Sequence, residues 1–413
     1  MEENQSPLEN GVFMKQQINR NISLDYSFTF LYNLNLLHAL WMIWLSLRGF
    51  SLLELGFLEG IFHITSFLME VPTGAVADLW GRRQSRIMGR VFFIISMLFL
   101  WKSPSFLFQA IGFMMTAISY NLESGAGEAL VYDSLSYLKK EDAFMGIRGK
   151  KELIFQLSAI IAFLLGGYIA TKNYNLVFII VLIIAGLSLV NLILMVEPPV
   201  IKKKEIIRGS LLKRVFVSLA QQTRDSLKVI KKQPRIAFLI IFTESVFVFS
   251  TTQYFYLQIW WKSVGYTEWY MGIVFACQCL LAGLSAILAP KMDKHYGEEK
   301  LLFIVPLMLL VSLWGVAFFE FKALFFVLTG AFEGILMVTV SDYINKLIPG
   351  EYRATILSYQ SMVFSLQMLF IFPAVGWLGD LYSLDLSLYV IAGTGTLLYF
   401  IYRIYMTMKK RNE

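Results

Sequence analysis

The sequence predicts an all-α membrane protein: twelve transmembrane helices in two pseudo-symmetric six-helix bundles, with both termini cytoplasmic. Three observations predict it. The 413 residues are 57% hydrophobic and only 16% charged, where an average soluble domain carries about 25% charge; the mean hydropathy is +0.61. Apolar segments of about the twenty residues needed to cross a bilayer recur twelve times. Lysine and arginine alternate in density from loop to loop, as the positive-inside rule requires. A soluble chain of this size could not hide so much apolar surface, whereas lipid accepts it.

In chain order, residues 1–22 are polar and read as a cytoplasmic N-terminal tail, not as a cleaved signal. Spans near 23–47, 51–77, 86–101, 104–130, 150–171 and 175–196 form an N-terminal bundle, 23–196. Residues 197–235 form a basic cytoplasmic linker, the longest polar stretch between spans. Spans near 236–261, 266–290, 300–319, 322–345, 355–378 and 386–408 form a C-terminal bundle, 236–408, and 409–413 is a cytoplasmic tail. With the termini inside, 31 of the 36 Lys and Arg residues fall on the inner side, including Arg82, Arg83, Arg86 and Arg90 after the second span. The outer side keeps Arg48, Lys102, Lys172, Lys262 and Lys322, one in each of five loops.

The net charge of +7 therefore sets orientation and is no nucleic-acid signal. Residues 202–235 are either an amphipathic helix on anionic lipid or a solvated linker. Trp41, Trp44, Trp101, Trp260, Trp261, Trp269 and Trp377 lie near outer helix ends, as an interfacial belt would. Cys277 and Cys279 form a C-x-C within an apolar run and read as small buried residues, with no disulfide or metal site.

Ionisable residues inside spans cost about 2.5–3.5 kcal/mol each on insertion scales, so they pair, face the interior or carry function. In the second span, Glu59, His63 and Glu70 fall within about 40° of one another at 100° per residue and make one polar stripe. Glu59 and His63 could share a proton; a structural contact to a neighbouring helix is the alternative.

The turn after the second span, Gly74-Ala75-Val76-Ala77-Asp78-Leu79-Trp80-Gly81-Arg82-Arg83, resembles the signature loop of the major facilitator superfamily, G-x-L-a-D-r-x-G-r-[rk]. A weaker echo, Asp293 to Gly297, follows the eighth span. Ser341-Asp342-Tyr343 and Pro349 to Thr355 resemble the loop before the eleventh. The resemblance implies a cytoplasmic gate of Gly74, Asp78, Gly81, Arg82 and Arg83, with Asp133 as partner of Arg82. Gly74 is expected to admit a neighbouring helix, and Asp78 to meet a helix N-terminus and a basic partner. Helices 1, 4, 7 and 10 line the cavity in this family. They carry Asn33, Asn35 and His38; Glu123 and Glu128; Glu244 and Gln253; and Glu333. No Lys or Arg is expected at comparable depth, so the cavity reads as acidic.

The sequence departs from the family's proton antiporters: Asn121 stands where they carry Arg, and Gly166-Gly167 lacks the preceding Pro. Glu70-x-Pro72 resembles a prefix of some efflux pumps. The leading expectation is a plasma-membrane secondary transporter of the drug-efflux branch, exporting a small lipophilic or cationic compound against protons. Its coupling residues would come from Glu59, Glu128, Glu244 and Glu333. The alternative is nutrient or metabolite uptake by symport or facilitated diffusion. A lipid-acting membrane enzyme is a remote third, because no H-x-x-x-H metal pair or nucleophile elbow is present. The expected partners are a small-molecule substrate, protons and the bilayer, with no nucleic acid; no cofactor is expected and the protein is read as a monomer.

Overall fold

A computed structural model of the chain describes residues 7–199, 224, 234–347 and 353–412. The expected linker helix at 202–235 and the Pro349–Tyr352 part of the second-half motif lie almost wholly outside the described residues. Within them there are thirteen α-helices and no strand. These are α1 (Pro7–Asn33), α2 (Trp41–Leu47), α3 (Leu52–Trp80), α4 (Arg82–Lys102), α5 (Phe106–Tyr137), α6 (Phe144–Lys172) and α7 (Tyr174–Leu194). After the linker come α8 (Pro234–Ser263), α9 (Glu268–Tyr296), α10 (Glu298–Phe318), α11 (Lys322–Leu347), α12 (Arg353–Leu381) and α13 (Leu384–Asn412).

Ten of them, α3, α4 and α6 to α13, are long and apolar enough to cross a membrane. The first expected span is instead broken. Asn33 Nδ2 donates to its own helix at Thr29 O (2.7 Å), and Asn35 Oδ1 accepts from Leu37 N (3.2 Å). Such local amide bonding competes with the helical ladder, and the chain turns before α2. Helix α1 already includes Pro7, the first described residue, within the segment expected to be a tail.

Tertiary contacts divide the chain into two units: Met1–Leu37, Thr65–Ala162 and Asn175–Phe216 in unit 1, and His38–Ile64, Phe163–Tyr174 and Val217–Glu413 in unit 2. The division cuts α3 and α6 as well as the linker. In unit 1, Phe28, Leu130, Leu192 and Met195 form one core cluster. The exposed stripe Ile179, Ile183, Leu187, Val190 and Leu194 on α7 is the pattern of a lipid-facing surface.

In unit 2, α9 and α11 cross at backbone contact. A Cβ on Gly330 would strike Gln278, and one on Gly334 would strike the Ala282 carbonyl. Small residues bring membrane helices this close because dispersion and polar contacts, rather than water exclusion, hold them. Trp261 is fully buried against Tyr270, Phe275 and Phe326, and Trp41 is nearly so. Both are core residues and not members of an interfacial belt. Cys277, expected to be buried, is exposed.

Candidate functional site

The turn from α3 into α4 is built around Gly81. Its φ of +104° and ψ of 154° lie in a region essentially reserved for glycine. A Cβ there would sit 2.9 Å from the carboxylate of Glu197. Without it, Glu197 accepts from the backbone N–H of Arg82 and of Arg83, 2.7 Å each, and so caps the N-terminus of α4. Arg83 does the reverse for α7: its guanidinium donates to Leu192 O (3.1 Å) and Ile193 O (2.7 Å), carbonyls of the last turn. Arg82 pairs with Asp78 at 2.6 Å and reaches Asp133 at 4.0 Å.

Two expectations change here. Gly74 is exposed, and a Cβ on it would meet nothing within 4 Å among the described residues. Asp78 is two-thirds exposed and spends its carboxylate on Arg82, four residues on, because that partner needs no tertiary approach. Glu197 is the residue that meets a helix N-terminus. Its only sequence signal is a carboxylate directly after a span, ahead of Pro198-Pro199.

Inside unit 1 a line of alternating charges joins four helices. Lys151 Nζ is 2.7 Å from Asp25 Oδ2, Asp25 Oδ1 is 2.8 Å from Arg86 Nη2, and Arg86 Nε donates to Glu123 Oε2 at 3.0 Å. Arg86 also lies over the Phe28 ring, 4.4 Å from its centroid. Arg90 donates to Ser188 and stands over Phe93 and Tyr32. Arg86 and Arg90 are 1% and 3% exposed. Following Arg82 and Arg83 in the chain, they are expected among the inner-loop charges; being four residues apart, they instead share one buried face of α4. The expectation that the acidic groups have no deep cationic neighbour is therefore wrong for Glu123. At the position where the proton antiporters carry Arg, Asn121 donates to Ser66 O (2.6 Å) and accepts from Ser66 Oγ (2.8 Å).

A cavity of about 240 Å³ lies between α1, α5 and α6, with Thr29, Asn33, Glu128, Arg148, Lys151 and Glu152 among its walls. It brings together two sequence candidates, Asn33 and Glu128. Glu128 pairs with Arg148 at 3.4 Å.

Unit 2 holds the remaining candidates. His63 Nε2 is 3.4 Å from Glu59 Oε1, and His63 meets Phe364 edge to face. The charge of Glu59 also acts on His38, which stands edge-on to Phe255. Glu70, expected on the same stripe, belongs to unit 1 and is half-buried. Glu244, 5% exposed, accepts from Gln360 Nε2 at 2.5 Å. Glu333 accepts from Ser250 Oγ and from Gln278 Nε2 (3.2 Å), tying α11 to α8 and α9. Among the described residues neither carboxylate has a cationic partner. None of those residues forms a cluster of three or more His, Cys, Asp or Glu able to hold a metal.

Set beside known proteins, the chain matches the family model described as Major Facilitator Superfamily over residues 26–366. It is 24% identical over 360 residues to the "Uncharacterized MFS-type transporter YxaM" of Bacillus subtilis (strain 168), covering 83% of this chain and 85% of that protein. Among solved structures it is similar to a mutant form of the nucleoside transporter NupG, with a TM-score of 0.73, 15% identity, and 95% and 99% of the two chains covered. A D-xylose-proton symporter gives a TM-score of 0.66, 14% identity, and coverage of 95% and 97%. At these identities the structural likeness concerns the fold.

Proposed function

This chain belongs to the major facilitator superfamily, and on that premise we propose that it is a proton-coupled secondary carrier that moves a small polar molecule by alternating access. It is a multi-pass integral membrane protein of the cell membrane, and its relatives are transporters rather than enzymes. Our reading keeps twelve spans in two six-helix bundles, 23–196 and 236–408, with the termini and the 197–235 linker inside.

The observation that carries the coupling is the surroundings of Glu244 and Glu333. Each lies on a helix apolar enough to span the membrane, and each is held by neutral donors, Gln360 for one and Ser250 and Gln278 for the other. A buried carboxylate without a cation carries a full desolvation cost that a proton removes. Glu123, beside Arg86, has its charge already matched. Glu59 with His63 is the second candidate for a shared proton.

Uptake by symport or facilitated diffusion is the better supported direction. The structural neighbours include one titled a nucleoside transporter and one a D-xylose-proton symporter. Export of a lipophilic cation drew on an acidic lining free of cations, and Arg86 and Arg90 remove that support within unit 1. The test is accumulation of labelled substrate in proteoliposomes under an imposed inward proton gradient. Glu333→Gln and Glu244→Gln should each cut gradient-driven accumulation at least tenfold while leaving gradient-free exchange near wild type. Accumulation unchanged in both variants would remove these two groups from the coupling path.

A further inference from the structure

We propose that the cavity between α1, α5 and α6 is a binding site for a small zwitterion of amino-acid size, whose carboxylate is taken by Arg148 and whose ammonium is taken by Glu128. The proposal rests on the carrier reading and names its substrate class. Four ionisable side chains stand in the cavity wall, two cationic (Arg148, Lys151) and two anionic (Glu128, Glu152). The wall is neutral as a whole, and Glu128 on α5 faces Arg148 on α6, which also carries Lys151 and Glu152. Its volume of about 240 Å³ is many times the roughly 10–15 Å³ that one water needs on the same measure, which leaves room for a small molecule.

The two cations differ in what they can release. Lys151 is committed to Asp25 at 2.7 Å, and the Asp25 side chain is 2% exposed, so breaking that pair would strand a buried charge. Arg148 and Glu128 are 61% and 55% exposed, 3.4 Å apart, and joined through the guanidinium Nε alone. Exposed pairs of this kind contribute little to stability. This is the pair a ligand can open. The Nη atoms of Arg148 and the second oxygen of Glu128 have no further partner among the described residues.

A ligand of one sign would satisfy one member of the opened pair and leave the other without its counter-ion. A zwitterion inserted between them returns both: its carboxylate takes the guanidinium fork, and its ammonium donates to Glu128. Lys151 has three donors and one carboxylate partner, so it can add a second contact to the ligand's acid end. Asn33 spends its amide N–H on Thr29 O, which leaves its carbonyl oxygen to accept from the ammonium end.

The test is the melting temperature of the purified full-length protein in detergent, followed by intrinsic tryptophan fluorescence. The twenty common amino acids are added singly, with acetate, ethylammonium and D-xylose as acid-only, amine-only and uncharged controls. At least one amino acid should raise the melting temperature by a few degrees at saturation, and the three controls should not. Arg148→Gln and Glu128→Gln should each weaken that binding at least tenfold, Arg148→Lys should weaken it less than Arg148→Gln because it keeps the charge and loses the fork, and Glu128→Asp should keep most of it. Because the pair is exposed, all four variants should melt near wild type without ligand. No shift with any amino acid, an equal shift with a control, or undiminished binding in both Gln variants overturns the site. Counterflow in proteoliposomes separates the two readings. An amino acid that binds but is not exchanged leaves the site and removes the carrier. Proton-driven movement of some other compound, with no amino acid bound, does the opposite.

Discussion

Arg86 shows what a single buried charge does in this molecule. Its guanidinium binds Asp25 and Glu123 together and is 1% exposed. Replacing it by Gln leaves two buried carboxylates, one still on Lys151 and one without a cation. Loss of one member of a buried ion pair costs about 3–5 kcal/mol, so Arg86→Gln should lower the melting temperature sharply in detergent. The double variant Arg86→Gln with Glu123→Gln should recover part of that loss, because the second stranded charge is gone. A double variant less stable than Arg86→Gln alone would mean that Glu123 is held by something other than Arg86. The sequence points to Glu123, places Arg86 among the inner-side charges and singles out Asp25 nowhere. Along the chain Asp25 is a lone acid and Arg86 one of a basic run; only the packing of α1, α4 and α5 makes them a pair.

At the scale of elements, two devices set helix positions. The first is the Gly81 turn, where one carboxylate caps α4 and one guanidinium caps α7. Gly81→Ala forces a side chain into a glycine-only conformation and against Glu197. The backbone strain is about 1–3 kcal/mol. Glu197→Gln keeps the shape and loses the charge, at about 0.5–2 kcal/mol. Thermal unfolding should rank wild type above Glu197→Gln and Glu197→Gln above Gly81→Ala; the reverse order would take the turn's strain out of the account. The motif's residues were legible because their spacing is local. Its partner Glu197, 114 residues beyond Arg83, was not, since nothing in the linear order says which loop closes on it.

The second device is the α9–α11 crossing. Gly334→Val would drive a branched side chain into Ala282 and Ser285. It should lower both melting temperature and proton-driven transport, because Glu333, next in the chain, is aligned by the same contact. A Val variant as stable as wild type would show that the two helices can part without loss.

For the whole molecule, the alternation of basic loops is the claim that most needs a direct measurement. Single cysteines in a variant lacking Cys277 and Cys279, placed at Glu141, Arg224 and Lys172, should react differently with an impermeant maleimide in intact cells. Lys172 should label from outside, and Glu141 and Arg224 only after the membrane is opened. Label from outside at Arg224 would invert the topology on which the carrier reading depends.

Hydropathy along the chain is enough to establish the class of solvent and the path of the chain through it. Hydropathy and helical length are properties of short segments, and eleven of the twelve expected segments correspond to one observed helix each. The exception, the break at Asn33 to Asn35, came from side-chain amides turning on their own backbone, a competition that hydropathy does not weigh. Which charges are matched emerges from packing alone. Glu123 has an arginine, Glu244 and Glu333 have neutral amides and a hydroxyl, and Glu128 faces Arg148 across a cavity. The physical reason is that the energy of a buried charge depends on neighbours within a few ångströms in space, and those neighbours come from helices far apart along the chain.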